Sequence, residues 1–180
     1  GSADIFIKTL ATGAIERIST NAAGAQGTST SVYPDFSPDG TRVAFNSFAS
    51  NFVSGDTNFN FDIFVKNLTT GAIERISTNA AGAQGDGGGS SEVHPAFSPD
   101  GTKVAFDSFD SNLVGGDSNS TADIFVKDVV TGAINRVSTD ALGAQANSGS
   151  SDPVFSPDGT RVAFWSNASN LVPGDTNGSA

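Results

Sequence analysis

The sequence predicts an all-β fold in which four-stranded sheets repeat as the blades of a β-propeller, and three observations support this prediction. Short motifs recur three times along the 180 residues, beginning with DIF at Asp4, Asp62 and Asp123. No segment combines helical periodicity with capping residues, so no helix is expected. The motifs that recur most closely are apolar at successive positions, which is typical of strands that are covered on both faces.

The repeat is regular in length as well as in sequence. A second motif, FSPDGT, begins at Phe36, Phe97 and Phe155. From each DIF aspartate to the glutamine of the following GAQ motif there are 22 residues in all three copies, whereas the segment between that glutamine and the next proline varies in length. Insertions that are confined to one loop indicate equal structural units placed side by side.

Each unit is predicted to contain four strands, named A to D in chain order. In the middle copy, strand A covers about residues 94–98, strand B 103–109, strand C 124–129 and strand D 134–138. A Ser-Pro-Asp-Gly turn joins A to B, because proline presets φ at the second turn position and glycine accepts the positive φ that follows. A Thr-Gly pair forms the hairpin between C and D, and a longer polar loop connects B to C.

Strands B and C distinguish a propeller from a two-sheet sandwich. Their central residues form the continuous apolar runs VAF and IFV or IFI. A sandwich leaves one face of each sheet in water, so its strands alternate apolar and polar residues. In a propeller each blade is packed between two others, and both faces of a strand are covered. The apolar runs therefore favour the propeller.

The combined pattern FSPDGT(R/K)VAF, DIFVK, TG and R(I/V)S resembles the TolB-type, WD-repeat-like β-propeller repeat family, and the resemblance covers essentially the whole chain. It implies four-stranded blades around a central channel, commonly six of them. The units of 58 to 61 residues are longer than the usual blade of about 40–45 residues. The excess falls in the B-to-C and D-to-A loops.

The chain begins and ends in the middle of a repeat. The predicted order is a half-blade of strands C and D (4–20), two whole blades (33–78 and 94–139) and a half-blade of strands A and B (152–167). Three blades are too few to close a ring, since propellers have about four to eight. Such an arc also leaves apolar faces and unpaired strand edges at both of its ends.

We expect a second copy of the chain to supply what each end lacks. Strands A and B at the C-terminal end of one copy would pair with strands C and D at the N-terminal end of the other, twice, in a head-to-tail homodimer with six blades. Three copies would exceed the common range of about four to eight blades. Closure of a single chain on itself would need a severely bent ring and is not expected.

The polar loops between strands B and C are candidate calcium sites. Oxygen-bearing side chains occur at alternate positions, and calcium takes about 6–8 oxygen ligands in a flexible geometry. The loops lack the central glycine and final glutamate of an EF-hand, and the alternative is that Asp and Asn only bond the local backbone as Asx turns. The third loop would be completed by the aspartate at the start of a second copy. The candidate ligands are Asp56, Asn58, Asn60 and Asp62 in the first loop, Asp117, Asn119, Thr121 and Asp123 in the second, and Asp175, Asn177, Ser179 and Asp4 in the third.

A few polar and aromatic residues lie outside these loops. His94 is the only histidine and Trp165 the only tryptophan. A channel-lining role is open to His94, but a histidine that the other copies lack is expected to be incidental. Trp165 is expected to pack at the junction between copies, with a ligand platform as the alternative. Arg17, Arg75 and Arg136 recur on strand D, as expected of an exposed outer strand.

Composition excludes several classes of function. The chain has no Cys, so it has no thiol nucleophile, zinc-thiolate site or disulfide. Without Cys or a second histidine, no nucleophile–base triad is expected. Acid–base chemistry by paired carboxylates stays open, although no pair stands out, and no apolar run is long enough to span a membrane. The formal net charge of -10 opposes binding to nucleic acids. It is compatible with cation binding and with a location outside the cytoplasm, in the periplasm or secreted.

The expected function is that of a self-assembling propeller, a scaffold or interaction module that is not an enzyme. Near-perfect repetition supports this expectation, because catalysis usually requires residues that break symmetry. One alternative is a propeller that binds a protein or glycan at its loop face or channel mouth. Another, a calcium-dependent propeller hydrolase or lactonase, would need acidic residues that converge on the channel. Repetition this close is expected from recent duplication or from deliberate engineering.

Overall fold

The computed structural model describes residues 1–87 and 93–176, which form twelve β-strands and no helix. Within these two ranges, the structure has no helix that could cross a bilayer. The strands are β1 (Phe6–Lys8), β2 (Ile15–Arg17), β3 (Ser31–Phe36), β4 (Arg42–Ser47), β5 (Asp62–Asn67), β6 (Ile73–Arg75), β7 (Ala96–Phe97), β8 (Lys103–Ser108), β9 (Asp123–Asp128), β10 (Ile134–Arg136), β11 (Ser150–Phe155) and β12 (Val162–Ser166).

The strands form four antiparallel sheets in chain order. β3 to β6 make one four-stranded sheet and β7 to β10 another, each a simple meander. Among the described strands, β1 pairs with β2 alone and β11 with β12 alone, so a two-stranded sheet lies at each end. By their place in the repeat, β1 and β2 correspond to strands C and D, whereas β11 and β12 correspond to strands A and B.

The strand ends differ from those that the sequence predicts. In the middle copy, strand A is limited to Ala96–Phe97 and strand D to Ile134–Arg136. In the connection that follows strand D, two residues form an isolated antiparallel bridge, for example Thr139 and Gln145. β3 and β11 each begin two residues before the predicted starts of 33 and 152.

The turn between strands A and B has the predicted chemistry. Gly40 has a φ of 69°, a value that glycine adopts at no steric cost. The carboxylate of Asp39 accepts hydrogen bonds from the Ser37 hydroxyl at 2.6 Å and from the backbone N–H of Thr41 at 3.0 Å. These bonds, that of Ser37 first, lower the pKa of Asp39 to about 2. The recurrent aspartate of this motif is therefore explained by the turn.

Apolar cores lie between successive sheets. Val43 and Phe45 of β4 face the first core together with Ile5 at the N-terminal end. Ala44, between them, faces a second core that includes Phe106 of β8. Successive side chains of one strand are thus buried on opposite faces of its sheet, as the apolar runs predict. Sheets packed in series face to face are the arrangement of propeller blades.

Candidate functional site

The DIF motif places a buried aspartate at the start of β5 and of β9. Asp62 is 1% exposed, and its Oδ1 accepts a hydrogen bond from the hydroxyl of Ser77 at 2.5 Å. Asp123 is fully buried and is bonded in the same way to Ser138, also at 2.5 Å. The two serines follow strand D of their sheets, so the DIF and R(I/V)S motifs recur together because they bond each other.

An arginine from strand D lies between two carboxylates in each complete sheet. Nη1 of Arg75 is 3.4 Å from Oδ1 of Asp56 and 3.6 Å from Oδ2 of Asp62. Arg136 repeats the arrangement, at 3.5 Å from carboxylate oxygens of both Asp117 and Asp123. The side chains of Arg75 and Arg136 are 9% and 10% exposed. The prediction that an exposed strand explains these arginines is wrong, because each guanidinium folds back onto the B-to-C loop.

The glutamine of the GAQ motif joins the same two carboxylates. Nε2 of Gln84 donates to Asp56 at 3.2 Å and to Asp62 at 3.4 Å, while its Oε1 accepts the backbone N–H of Thr57. Gln145 makes the same bonds in the next sheet. We call this set, Asp56, Asp62, Arg75 and Gln84 with its equivalents, the carboxylate–arginine network. It links the B-to-C loop, strand C, strand D and the following D-to-A loop.

The network holds more negative than positive charge. Burial raises the pKa of Asp62 to about 6, while the Ser77 hydroxyl and the Arg75 guanidinium oppose that rise. Burial likewise raises the pKa of Asp56, against the opposing effect of Arg75. Two carboxylates therefore lie 3.4 and 3.6 Å from one buried guanidinium nitrogen that makes no hydrogen bond in the described structure. The group has one negative charge in excess when both carboxylates are ionised, and removal of the arginine would leave them without their cation.

The amide-bearing residues of the predicted calcium loops bond the local backbone. Oδ1 of Asn58 accepts the backbone N–H of Asn60 at 3.2 Å, and Oδ1 of Asn119 accepts that of Thr121 at 3.0 Å. These are the Asx turns that the sequence left as the alternative. Within residues 1–87 and 93–176, no three acidic or histidine side chains group as a metal site. Asn177 and Ser179 lie outside the described residues, and calcium binding stays a prediction.

The copy of the network at the N-terminal end is incomplete in one chain. Oδ1 of Asp4 accepts from Ser19 at 2.7 Å, Oδ2 accepts from Gln26 at 3.0 Å, and Oδ2 lies 3.6 Å from Nη1 of Arg17. In the part of the chain that the structure describes, Arg17 has this one carboxylate within ion-pair distance. The equivalent of Asp56 is Asp175, at the opposite end of the chain.

A pocket of about 580 Å³ lies where β3, β8 and β11 approach one another, and its lining is unlike the repeat. It contains Tyr33, His94 and Trp165, which are the single tyrosine, histidine and tryptophan of the chain. It also contains Asp107 and Asp152. We call it the divergent pocket, because these five residues occupy positions at which the three copies differ.

Three residues of this pocket, Tyr33, Asp107 and Asp152, were not predicted as site residues. His94 was expected to be incidental, with a channel-lining role as the alternative. Its ring centroid lies 4.0 Å from that of Tyr33, and its Nδ1 is 2.7 Å from Oδ1 of Asp152. The sequence does carry a signal for this pocket, because Tyr33, His94 and Asp152 occupy one repeat position with three different side chains.

Comparison with known proteins places the fold. No family model matches the chain. In sequence, 97 residues are 31% identical to dipeptidyl-peptidase 5 of Porphyromonas gingivalis, over 54% of this chain and 13% of that protein. In structure, TolB from Acinetobacter baumannii matches 89% of this chain with a TM-score of 0.55 and 24% identity, and a prolyl endopeptidase matches 91% with a TM-score of 0.56 and 13% identity. The chain spans 31% and 22% of those two proteins.

These likenesses extend over most of the chain and agree with the sheets described above. Both structural matches have sequence identities that support a statement about the fold alone. The recurrent FSPDGT and DIF motifs, the two four-stranded meanders packed in series and the match to TolB all point the same way. The fold that the motifs predict is thereby confirmed: this chain has a β-propeller fold like that of TolB.

Proposed function

We propose that the chain is a self-assembling β-propeller module, in which two copies close a ring of six blades, and that it serves as a scaffold or interaction platform without catalytic activity of its own. The most direct support comes from one repeated position. Phe64 and Phe125 are fully buried against the preceding sheet, whereas their equivalent Phe6 in β1 is 57% exposed. A large apolar side chain exposed where its equivalents are buried indicates a surface that a partner covers.

A lysine that crosses between sheets supports the same partner. Nζ of Lys127 donates to the backbone carbonyls of Thr78 and Asn79, at 2.9 and 3.0 Å, where the chain leaves the preceding sheet. Lys66 makes equivalent bonds one sheet earlier. Both lysines are buried, whereas Lys8 at the equivalent position is exposed. In the proposed ring, the carbonyls that follow β10 of the second copy accept the bonds of Lys8.

The open strand edges fit each other in register. In the complete sheets β4 pairs with β5, with Phe45 opposite Phe64. β12 is the equivalent of β4, and β1 is the equivalent of β5, but these two strands belong to separate sheets in the chain. Transfer of the observed register places Phe164 of one copy opposite Phe6 of the other. Each junction then becomes a four-stranded antiparallel sheet without an unpaired inner edge.

The junction would also complete the carboxylate–arginine network. The side chain of Arg17 is 36% exposed, against 9% for Arg75, and it pairs with Asp4. In the ring, Asp175 of the second copy takes the place that Asp56 has beside Arg75. The negative charge in excess at each network is the feature that still favours a bound cation, and we retain calcium at these loops as an additional part of the proposal.

The proposal of a non-catalytic module rests on how the recurrent polar residues are used. The DIF aspartates, the strand D arginines and the GAQ glutamines bond one another, so their recurrence has a structural explanation. The similar proteins include TolB as well as peptidases, and this chain spans 13% and 22% of the two peptidases. A ligand-binding propeller is the second candidate, and the divergent pocket is the observation that favours it.

The assembly can be tested by the solution mass from light scattering. The wild-type chain is expected at twice its mass of 18.2 kDa. Phe6→Asp is expected to give a monomer, because it places a charge in a face that must be buried in the ring. The same measurement in the presence of a chelator shows any contribution of calcium, which would stabilise the dimer by mass action.

A second exposed apolar side chain, Leu142, serves as the matched control. Leu142 is 94% exposed, and its repeat equivalents Ala23 and Ala81 are exposed as well. Leu142→Asp is therefore expected to leave the dimer intact. A wild-type chain that stays monomeric at all concentrations, or equal effects of the two substitutions, would contradict the proposal.

A further inference from the structure

The divergent pocket concentrates the chemistry that the repeat does not explain. In a chain of near-identical units, the single Trp, Tyr and His line one cavity together. Tyr33 and Asp152, each before a proline, have φ values of 55° and 54°, which are uncommon for residues other than glycine. Unusual backbone of this kind is often kept at functional sites. The positive φ therefore recurs at this repeat position, and the pocket departs from the repeat in its side chains.

Two buried oxygen atoms of the pocket have no hydrogen-bond partner among the described residues. Asp107 is 4% exposed, and its Oδ1 is buried without a hydrogen-bond partner in the described structure. Oγ1 of Thr121, on the same pocket wall, is likewise buried without a partner. A buried carboxylate oxygen that lacks a donor is costly in free energy. A ligand that brings a donor to this place would remove that cost.

The backbone N–H of Asp152 donates to the Asp107 carboxyl, and the two ring N–H groups of the pocket donate to Asp152 instead of to Asp107 Oδ1. Because hydrogen bonds to His94 and Trp165 lower the pKa of Asp152, this carboxyl is ionised and accepts from both residues. Nδ1 of His94 donates to its Oδ1 at 2.7 Å, and Nε1 of Trp165 donates to its Oδ2 at 2.8 Å. The cavity is thus lined by the ionised carboxylate of Asp152 and by the buried carboxyl group of Asp107. The ring N–H groups of His94 and Trp165 both donate to Asp152. Such a site attracts cations and repels anions.

Aromatic rings form the remaining walls. Tyr33, Trp165 and Phe109 line the pocket, and aromatic faces attract ammonium groups and cover apolar carbon. The volume of about 580 Å³ lies within the range of about 300–1,000 Å³ that is typical of small-molecule sites. Carboxylates supply the charge and rings supply the apolar surface, which together select a cation with a hydrocarbon body over a bare metal ion.

We propose that the divergent pocket binds small organic ammonium compounds, with the ammonium group donating to Asp107 and Thr121 and the apolar body packed between the rings of Tyr33 and Trp165. The residues named lie in a single chain, so the site does not depend on ring closure. It would make the molecule a binding protein for amines, an activity beyond assembly.

Three probes of one shape test the chemistry. At pH 7.5 the protein is titrated with 2-phenylethylamine, which is cationic, with 2-phenylethanol, which is neutral, and with 3-phenylpropionate, which is anionic. Trp165, as the only tryptophan, reports occupancy by its fluorescence, and labelled His94, as the only histidine, reports it by NMR. The amine is expected to saturate both signals, the alcohol to bind at least about tenfold more weakly, and the carboxylate not to bind.

Two charge-removing variants, each with a counterpart in the repeat itself, locate the site. Asp107→Asn reproduces the residue of the first copy, Asn46, and is expected to weaken amine binding by about tenfold or more. Asp140→Asn reproduces Asn21 and Asn79, removes the same charge at an exposed turn outside the pocket, and is expected to leave binding unchanged. Equal affinities of the amine and the alcohol, equal effects of the two variants, or the absence of a saturable signal from Trp165 and His94 would each overturn the proposal. The comparison of probes needs no variant, so it decides the matter even if Asp107→Asn does not fold.

Discussion

At the scale of single residues, the three repeats act as controls for one another. Asp62 and Asp123 recur, and the structure explains them by bonds to a serine, an arginine and a glutamine. Five residues at two positions that differ between copies, Tyr33, His94, Asp107, Asp152 and Trp165, line one pocket instead. A buried carboxylate with a raised pKa in such a pocket marks a candidate binding site, which is the basis of the ligand proposal above.

Replacement of Asp107 by Asn is expected to stabilise the protein at neutral pH. Burial, with the nearby Asp152 carboxylate acting in the same direction and His94 against it, raises the pKa of Asp107 from 3.8 to about 6. Between pH 3.8 and about 6 the folded state therefore keeps a proton on Asp107 that the unfolded state has released. Because the folded protein must ionise this buried carboxyl as the pH rises through that range, its stability falls. The gain of Asp107→Asn should be about 3 kcal/mol above pH 7 and should vanish below about pH 4.

Urea unfolding at pH 7.5 and pH 4 measures this difference. Asp140→Asn, at an exposed turn, is the control and should change stability by less than about 0.5 kcal/mol at either pH. A loss of stability in Asp107→Asn at pH 7.5, or a gain that is the same at both pH values, would contradict the assigned cost of burying this carboxylate.

At the scale of strands and sheets, local chemistry predicted the connections better than the ends of the strands. Proline and glycine define the A-to-B turn, and the apolar runs define the two buried faces of strands B and C. Strand D ends earlier than predicted because the hydroxyl of Ser77 accepts the backbone N–H of Ile63 in place of a ladder carbonyl. The role of Arg75 was also beyond the sequence, since it depends on distances across three strands.

The carboxylate–arginine network is expected to be a major stabilising element of each sheet. Arg75→Met leaves the carboxylates of Asp56 and Asp62 buried without their cation, and loss of one partner of a buried pair costs about 3–5 kcal/mol. Loss of the guanidinium raises the pKa of Asp62 further above about 6. Protonation then relieves the buried charge in the folded state, so the deficit should shrink as the pH falls towards 4.

Lys103→Met provides the comparison for this substitution. The Nζ of Lys103 bonds the hydroxyl of its neighbour Thr102, and no carboxylate pairs with it within residues 1–87 and 93–176. Its replacement should cost less than about 0.5 kcal/mol in urea unfolding. If Arg75→Met were no more destabilising than Lys103→Met, the network would have no structural importance.

At the scale of the whole molecule, a two-stranded sheet lies at each end of the described strands. The N-terminal sheet presents strands of type C and D, and the C-terminal sheet presents strands of type A and B. We propose that these two sheets complete each other in a second copy, and the exposed side chains of Phe6 and Lys8 are the observations that support this proposal. The divergent pocket could not be predicted in the same way, because its residues are distant in sequence and converge only in the folded chain.

The proposed pairing of β12 of one copy with β1 of a second copy can be tested by its register. In the complete sheets Ala44 lies opposite Val65, so the equivalent Ala163 of one copy should lie opposite Ile7 of the other. The chain contains no natural cysteine, so the double variant Ala163→Cys with Ile7→Cys has no competing thiol. Mild oxidation is expected to give a covalent dimer on a non-reducing gel, because directly opposed residues lie about 4.4–6.8 Å apart, as a disulfide requires.

The matched pair Ala163→Cys with Thr9→Cys lies on the same face but two residues out of register, about 7–8 Å away, and should form little dimer. Prompt formation of the Ala163–Ile7 disulfide between two chains, and not of the Ala163–Thr9 disulfide, is the result that the account predicts. A disulfide that forms within a single chain, or equal cross-linking of the two pairs, would contradict it.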